Sequence, residues 1–371
     1  MKSYAYFLFL AICLGTTAEL HAQPTPFDVC DSVIYYIQPA AWGDPTPDLV
    51  GVKNISGTMT TQIDCDLTKV YTPGNVNGIA CNANDGFIYY QNRGATGNSF
   101  LLRFGSNCET ELVTEFASDT GYRANGCMDA CDNYCRWYYT GEIVKYNVYS
   151  GVSDTVSTDL TGSGVDLMYN PFTCGWYVYR NPTGEVFEID ASGTLVATYT
   201  TGITYAGSIA LTQDGEEFVL QAGLTMYWFD ITSGTLSSTM TIPENASGAP
   251  TADNGTFVCD NVMADITSLG DTIEIHTCED SIDVTFTNTS GGDQNWFVWD
   301  FGDGEYDSLN LNPTHTFESN NTYTVAYAAS KFTCETCQMG PNNYDTIIVY
   351  IVPDTLQTTM TSTDPICFEA Y

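Results

Sequence analysis

The sequence predicts an all-β protein in which a β-propeller precedes a smaller β-sandwich, and internal repeats carry the propeller prediction. A turn glycine recurs along the first two thirds of the chain: Gly86, Gly175, Gly215 and Gly255. The last two steps are 40 residues each, and the first step of 89 residues spans two periods with a turn at Asn133 between them. A repeat of about 40 residues with roughly four short strands is typical of a propeller blade, because a blade buries its faces only against its neighbours.

A second marker has the same period. The segment VFEID ends at Asp190 and the segment YWFDI contains Asp230, 40 residues later, and Ser-Gly-Thr-Leu follows each of them. Tyr, Phe, Val, Ile and Thr dominate the runs between the turns, as expected of strands. The blades carry no Trp-Asp or kelch signature, so the repeat resembles only the irregular propellers of secreted bacterial proteins as a group.

Two incomplete copies flank the four complete ones. Residues 24–75 offer only residues 27–29 as a first strand, and residues 249–260 supply two strands of a last copy. Residues 262–266 align with YWFDI, and no fourth strand follows. If both partial copies are counted, residues 24–267 contain six blades, which is the favoured number. If the two copies merge into one blade, the number is five, and seven is also possible. Merging would let each chain end complete the other's blade and cover exposed strand edges.

Residues 1–22 have the composition of a secretory signal peptide. Lys2 precedes an apolar stretch at residues 6–14 that is too short to span a bilayer, and Ala22 ends a small-residue cleavage site. No later apolar run reaches 18 residues, so the exported chain is expected to have no membrane-spanning helix. The sequence therefore predicts a secreted or cell-surface protein.

The formal net charge is −35, with 45 acidic and 10 basic residues. This excess repels the phosphates of nucleic acids and anionic lipid surfaces, so nucleic-acid binding is excluded. The acidic residues are spread along the chain rather than gathered in one run, which indicates a solvated surface.

Of the 14 cysteines, 13 follow the predicted signal peptide, and export to an oxidising compartment predicts that most of them form disulfides. In the third repeat Cys127, Cys131 and Cys135 surround the turn. We expect a bridge between Cys131 and Cys135, or between one of these two and Cys174 in the neighbouring turn, rather than a zinc site, because the repeats contain no histidine.

The second domain is predicted over residues 268–353 from three motifs in order. The first is Trp299-Asp300-Phe301-Gly302-Asp303-Gly304, the second contains Pro313, His315 and Phe317, and the third begins at Tyr323. This series resembles the PKD (polycystic kidney disease) domain, and the resemblance implies an immunoglobulin-like β-sandwich. Where that family usually has a glycine before the third motif, this chain has Asn321 and Thr322, and asparagine tolerates the left-handed backbone.

Three further cysteines of this domain, Cys278, Cys334 and Cys337, are disulfide candidates, and the last two lie in a lengthened hairpin. Residues 354–371 form a Thr-rich linker and the start of a further module, in which Cys367 is expected to pair with a cysteine beyond Tyr371.

The WDFGDG motif also contains a weak calcium candidate, the set Asp300, Asp303 and Glu305. Their spacing does not match an EF-hand ligand series, so we favour a structural turn in which Asp303 accepts backbone hydrogen bonds. The sequence predicts no other cofactor. His315 is expected to be a hydrogen-bonded structural residue.

The predicted propeller contains no histidine, and the chain has no phosphate-binding glycine loop or HExxH motif. The favoured function is therefore non-catalytic binding or adhesion, in which propeller loops recognise an extracellular glycan or protein and the PKD-like module acts as spacer or contact. The resemblance to PKD domains implies such contacts outside the cell. The alternative is a secreted polysaccharide-degrading hydrolase or lyase, or the accessory region of one, that uses two carboxylates across a ring mouth.

Overall fold

The computed structural model describes residues 23–28, 32–38, 47–67, 75–93, 98–116, 125–162, 166–204, 206–242, 253–256, 264–266, 270–277, 279–292, 294–332 and 344–353. These residues form strands, turns and irregular connections without a helix. In this part of the chain no helix is long and apolar enough to cross a membrane. The predicted signal peptide lies outside the described residues, as do Cys278, Cys334, Cys337 and Cys367.

Twenty strands in the described part of the repeat region form five four-stranded antiparallel sheets, which we number as blades 1 to 5. Blade 1 contains β1 (Ile34–Gln38), β2 (Asp48–Ile55), β3 (Thr58–Asp66) and β20 (Asp253–Thr256). Blade 2 contains β4 (Asn75–Asn82), β5 (Phe87–Arg93), β6 (Ser99–Phe104) and β7 (Thr110–Phe116). Blade 3 contains β8 (Cys127–Met128), β9 (Asn133–Tyr138), β10 (Glu142–Asn147) and β11 (Ser153–Ser157). Blade 4 contains β12 (Asp166–Asn170), β13 (Gly175–Arg180), β14 (Glu185–Ile189) and β15 (Leu195–Thr200), and blade 5 contains β16 (Ser208–Leu211), β17 (Glu217–Ala222), β18 (Thr225–Asp230) and β19 (Thr235–Thr241).

The five blades close into a ring. The innermost strands β20, β4, β8, β12 and β16 contact one another in that order, and β16 contacts β20 again. This architecture confirms the predicted all-β propeller, but the blade count in the described residues is five rather than the favoured six. The count is five because the two partial copies merge: β20 pairs with β1, and Gly255 lies opposite Tyr35.

Residues 27–29 do not supply the first strand of blade 1. Phe27 lies outside any strand, and its backbone N–H donates to the Gly86 carbonyl of blade 2 at 2.7 Å. Its ring packs 5.1 Å from the ring of Tyr35 and 6.3 Å from that of Phe104. The aromatic side chain therefore fills the junction between blades 1 and 2 while β20 takes the innermost position; Val29 lies outside the described residues.

Each pair of neighbouring blades encloses its own apolar cluster, and five such clusters surround the ring. Successive residues of a strand point to opposite faces. In β5, Ile88 and Tyr90 pack against blade 1, whereas Phe87 and Tyr89 pack against blade 3. Strands buried on both faces read as continuous apolar runs rather than alternating ones, which explains segments such as FIYY.

The smaller domain contains a five-stranded sheet and a two-stranded sheet. The larger sheet has the order β21 (Thr272–Thr277), β27 (Tyr344–Pro353), β26 (Asn321–Ser330), β23 (Trp296–Asp300) and β24 (Tyr306–Asp307); β22 (Ser281–Thr285) pairs with β25 (Thr314–Glu318). Their apolar faces enclose one core. Ile266, which the repeat pattern assigns to the propeller, is buried in this core, and its N–H donates to the Asp345 carboxylate at 2.8 Å. The left-handed residue before β26 is Asn320 (φ 60°), one position earlier than expected.

Candidate functional site

A cleft of about 620 Å³ lies where blade 5 meets blade 1, and one residue of the sandwich reaches it. Its floor is apolar and comes from both blades: Val33, Ile34, Val219, Trp228 and Met240. Its walls carry hydrogen-bonding side chains: Asn54, Thr212, Asp214, Glu217, Ser238 and Lys331. Ligand sites in proteins usually have volumes of about 300–1,000 Å³ and an apolar lining with a few polar groups, and they often lie between domains. The cleft has each of these properties.

The strand pattern of blade 5 places Trp228 in the floor. In β18, Met226 and Trp228 alternate with Tyr227 and Phe229, and only the first pair faces blade 1. Trp228 lies opposite Val219 of β17 in the sheet register and is 9 % exposed. Its ring is therefore held in place by the core of the blade while part of it faces the cleft.

One cleft wall is the turn between β16 and β17, which its own hydrogen bonds hold in shape. The Thr212 hydroxyl donates to Asp214 Oδ1 at 2.6 Å and accepts from the Glu217 N–H at 3.1 Å. The Gly215 N–H donates to the Thr212 carbonyl at 2.9 Å, and Ser32 of blade 1 donates to Gln213 at 2.8 Å. The wall is thus tied to both blades.

The charges of the cleft come from three side chains. Asp214 is exposed at the turn, and the half-buried Glu217 accepts a hydrogen bond from the Ser237 hydroxyl. Lys331 belongs to the sandwich, and its Nζ lies 5.3 Å from the ring centroid of Phe172 in blade 4. Two carboxylates and one ammonium therefore line a site with an aromatic floor, and this combination can hold a polar ligand that has both hydroxyl groups and apolar faces.

The structure places the PKD-motif residues in the sandwich core and its turns. Trp299 and Phe317 are fully buried, and Phe301 stacks on the His315 ring with 3.9 Å between centroids. The Pro313 carbonyl accepts from the Phe286 N–H at 2.9 Å, and the Tyr323 hydroxyl donates to the Glu318 carbonyl at 3.3 Å. The turn residues Gly302 and Gly304 both have positive φ.

His315 and Asp303 form a hydrogen-bonded pair at the end of this core. His315 Nε2 lies 2.7 Å from Asp303 Oδ2, and Asp303 Oδ1 accepts from the Glu305 N–H at 2.9 Å. Burial raises the pKa of Asp303, but the hydrogen bonds from His315 and from the Glu305 N–H outweigh it, so the net shift is downward. Asp303 therefore accepts these hydrogen bonds as a carboxylate and so stabilises the turn.

The calcium candidates Asp300, Asp303 and Glu305 take part in the hydrogen bonds of this turn. Asp300 accepts a hydrogen bond from the Gly302 N–H at 2.9 Å, and Asp303 is engaged by His315 and Glu305. Across the ranges that the structure describes, no group of three or more His, Cys, Asp or Glu side chains could hold a metal ion. Asp300 and Asp303 thus accept backbone hydrogen bonds within this turn.

The described cysteines include both disulfides and thiols. Cys65 of blade 1 is bonded to Cys108 of blade 2, a bridge that the repeat did not predict. Cys131 and Cys174 are both disulfide-bonded. Cys135 and Cys127 are buried thiols that lie opposite each other in the register of β8 and β9. The expected bridge between Cys131 and Cys135 is therefore wrong. Burial raises the pKa of both thiols.

The sequence also did not predict a polar cluster that lies between blades 2 and 3. Asp85 Oδ2 accepts from the Tyr89 hydroxyl at 2.7 Å and from the Tyr149 hydroxyl of blade 3 at 2.8 Å. Burial raises the pKa of Asp85 although these hydrogen bonds oppose the shift. The sequence predicts the Asp85 turn from its glycine, but Tyr149 belongs to the next blade and becomes a neighbour of Asp85 only in the closed ring. The cluster joins two blades.

Comparison with known proteins agrees with the sandwich motif. Residues 263–333 match the family model of the PKD domain. A search of the curated proteins found no match to the chain. The smaller domain is thus a PKD domain, and it follows a propeller that is defined by its own strand order.

Three similar solved structures have TM-scores below 0.5. One is a chain of a nidogen/laminin complex, with 10 % identity, 60 % of this chain and 97 % of that chain covered, and a TM-score of 0.39. Streptogramin B lyase has 14 % identity, coverages of 60 % and 72 %, and a TM-score of 0.35. A structural genomics protein of unknown function from Bacteroides thetaiotaomicron has 13 % identity, coverages of 61 % and 62 %, and a TM-score of 0.40.

Proposed function

We propose that this protein is a secreted, non-catalytic binding protein that holds a neutral glycan in the cleft between blades 5 and 1. The observation that carries the proposal is the position of Trp228 in an apolar floor beneath a rim of carboxylate, amide, hydroxyl and ammonium groups. A sugar ring has an apolar C–H face and equatorial hydroxyl groups. An aromatic side chain can pack against the C–H face, and convergent polar side chains can form hydrogen bonds with the hydroxyl groups.

The charge of the protein favours a neutral ligand over an acidic one. The formal net charge of −35 repels polyanions at long range, and Asp214 and Glu217 add two negative charges in the cleft itself. A PKD domain and a disulfide between blades are typical of extracellular proteins, which supports export to a place where glycans are available.

The test is retention of the purified exported chain on immobilised neutral and acidic polysaccharides, with and without Ca²⁺. We expect retention on a neutral polysaccharide that does not depend on Ca²⁺. Asp214→Asn should weaken the affinity about tenfold, because it removes a charge-assisted acceptor for sugar hydroxyls, while its amide oxygen can still accept from Thr212. Asp154→Asn is the matched control, since Asp154 is an exposed carboxylate on β11.

The same assay decides between binding and catalysis. Released reducing ends are measured in the flow-through and the retained fraction. Retention without product supports the binding proposal. Steady product release that Glu217→Gln abolishes would establish a polysaccharide-degrading enzyme instead, and equal retention of Asp214→Asn and wild-type protein would show that the cleft is not the site.

A further inference from the structure

The PKD domain touches the propeller beside the cleft, at the end of β26. The Phe332 ring meets the ring of Phe172 edge to face, with 5.2 Å between centroids and an interplanar angle of 81°. The neighbouring Lys331 lies over the same ring and lines the cleft. Two consecutive residues of the sandwich thus meet a single aromatic side chain of blade 4.

On the sandwich side this segment is fixed by hydrogen bonds. The Phe332 N–H donates to the Ser330 hydroxyl at 2.9 Å, and Asn295 Nδ2 donates to the Lys331 carbonyl at 2.9 Å. The Asn295 N–H donates to the Ser330 carbonyl at 2.9 Å. Lys331 therefore reaches the cleft from a backbone that the sandwich holds in place.

On the propeller side, Phe172 lies flush against the turn that forms the cleft wall. Gly215 of this turn has a positive φ of 76°, and a Cβ atom added to it would overlap the Phe172 ring. The Phe172 N–H donates to Asn170 Oδ1 at 2.9 Å, which fixes the Phe172 backbone in blade 4. Phe332 therefore contacts Phe172, and Phe172 in turn contacts the wall that contains Thr212 and Asp214.

We infer that the PKD domain completes the ligand site: Phe332 docks on Phe172 and so positions the Lys331 ammonium to donate to an acceptor oxygen of the bound glycan. Among the described residues that line the cleft, Lys331 is the basic one, whereas Asp214 and Glu217 are acceptors, so Lys331 supplies the charged donor. This inference rests on the proposed function. Lys331 is a specificity residue, and Phe332 and Phe172 are positioning residues.

The ligand test uses the full chain and the retained neutral polysaccharide. Lys331→Ala should weaken the affinity about tenfold or more, since a hydrogen bond to a charged donor is lost, and Lys145→Ala in blade 3 is the matched control. Phe332→Ala should weaken it several-fold, with no further loss when it is combined with Lys331→Ala, because it acts through that residue. Wild-type affinity of Lys331→Ala, or additive losses in the double variant, would overturn the inference.

A second measurement needs no ligand and separates this inference from the proposed function. Hydrogen exchange of the amides at residues 212–217 should be several-fold faster in Phe332→Ala than in the wild type. The reason is that the Phe172 ring, which packs on this turn, then loses its contact with Phe332. The control is Tyr306→Ala, which removes an exposed aromatic ring on β24. Unchanged exchange in Phe332→Ala overturns the docking. If exchange changes but the wild type retains no glycan, the docking stands and the ligand role of Lys331 falls with the proposed function.

Discussion

Trp299 connects the PKD motif to the stability of the sandwich. Its ring lies 4.6 Å from the ring of Tyr327 and 5.5 Å from that of Phe286, and the side chain is fully buried. The alternation along β23 directs Trp299 inward, while Trp296 on the same strand remains half-buried. The aromatic residues of the motif thus build the core of the sandwich, and its acidic residues stabilise the turn that follows.

Replacing Trp299 with alanine should lower the free energy of unfolding of the sandwich by about 3–5 kcal/mol, because a large buried aromatic group leaves a cavity. The change is measured in the full chain by hydrogen exchange of β26 and β27 amides under denaturant. Trp296→Ala is the control and should cause a clearly smaller loss. Equal losses in the two variants would mean that the inward face of β23 has been assigned wrongly.

The Ser-Gly-Thr-Leu turns of blades 4 and 5 share a local design but have different surroundings. Asp190 Oδ1 accepts from the N–H groups of Ser192 and Thr194, at 2.9 Å each, and Asp230 Oδ1 accepts from the Ser233 N–H at 2.6 Å. Hydrogen bonds from Ser192, and then from the Thr194 N–H, lower the pKa of Asp190. These caps explain why an aspartate precedes each turn.

The glycines of these two turns provide a matched comparison. Gly193 and Gly234 both have positive φ, but a Cβ atom at Gly193 would overlap the Ser157 carbonyl of blade 3, whereas open space surrounds Gly234. Gly234→Ala should cost about 1–2 kcal/mol of stability from the left-handed backbone alone. Gly193→Ala should cost more, since the neighbouring backbone must also shift. Urea unfolding of both variants measures the difference, and equal costs would contradict the packing of the blade 4 turn on blade 3.

For the molecule as a whole, the repeat period and the PKD motif predicted the fold class because both are local patterns. Forty-residue spacing is set by strands and turns inside one blade, and Trp299 to Tyr323 lie within one small domain. The blade number did not follow from the same patterns. It depends on whether β20 pairs with β1, and these strands are about 220 residues apart in the sequence, so their pairing is visible only in the closed ring.

The cleft could not be predicted for the same reason. Its floor combines Ile34 at the beginning of the ring with Trp228 near its end, and Lys331 comes from the other domain. Each of these residues reads in the sequence as an ordinary strand or loop position. The sequence predicted propeller loops as the binding surface, and the site that we propose lies at a junction between blades and domains.

The most direct test of the proposed function is a crystal structure of the protein soaked with the neutral oligosaccharide that it retains. The proposal predicts sugar density in the cleft, with one pyranose ring against Trp228 and hydroxyl groups within hydrogen-bonding distance of Asp214 and Lys331. Sugar density at a ring mouth or on another surface, with the cleft empty at a saturating concentration of ligand, would contradict it.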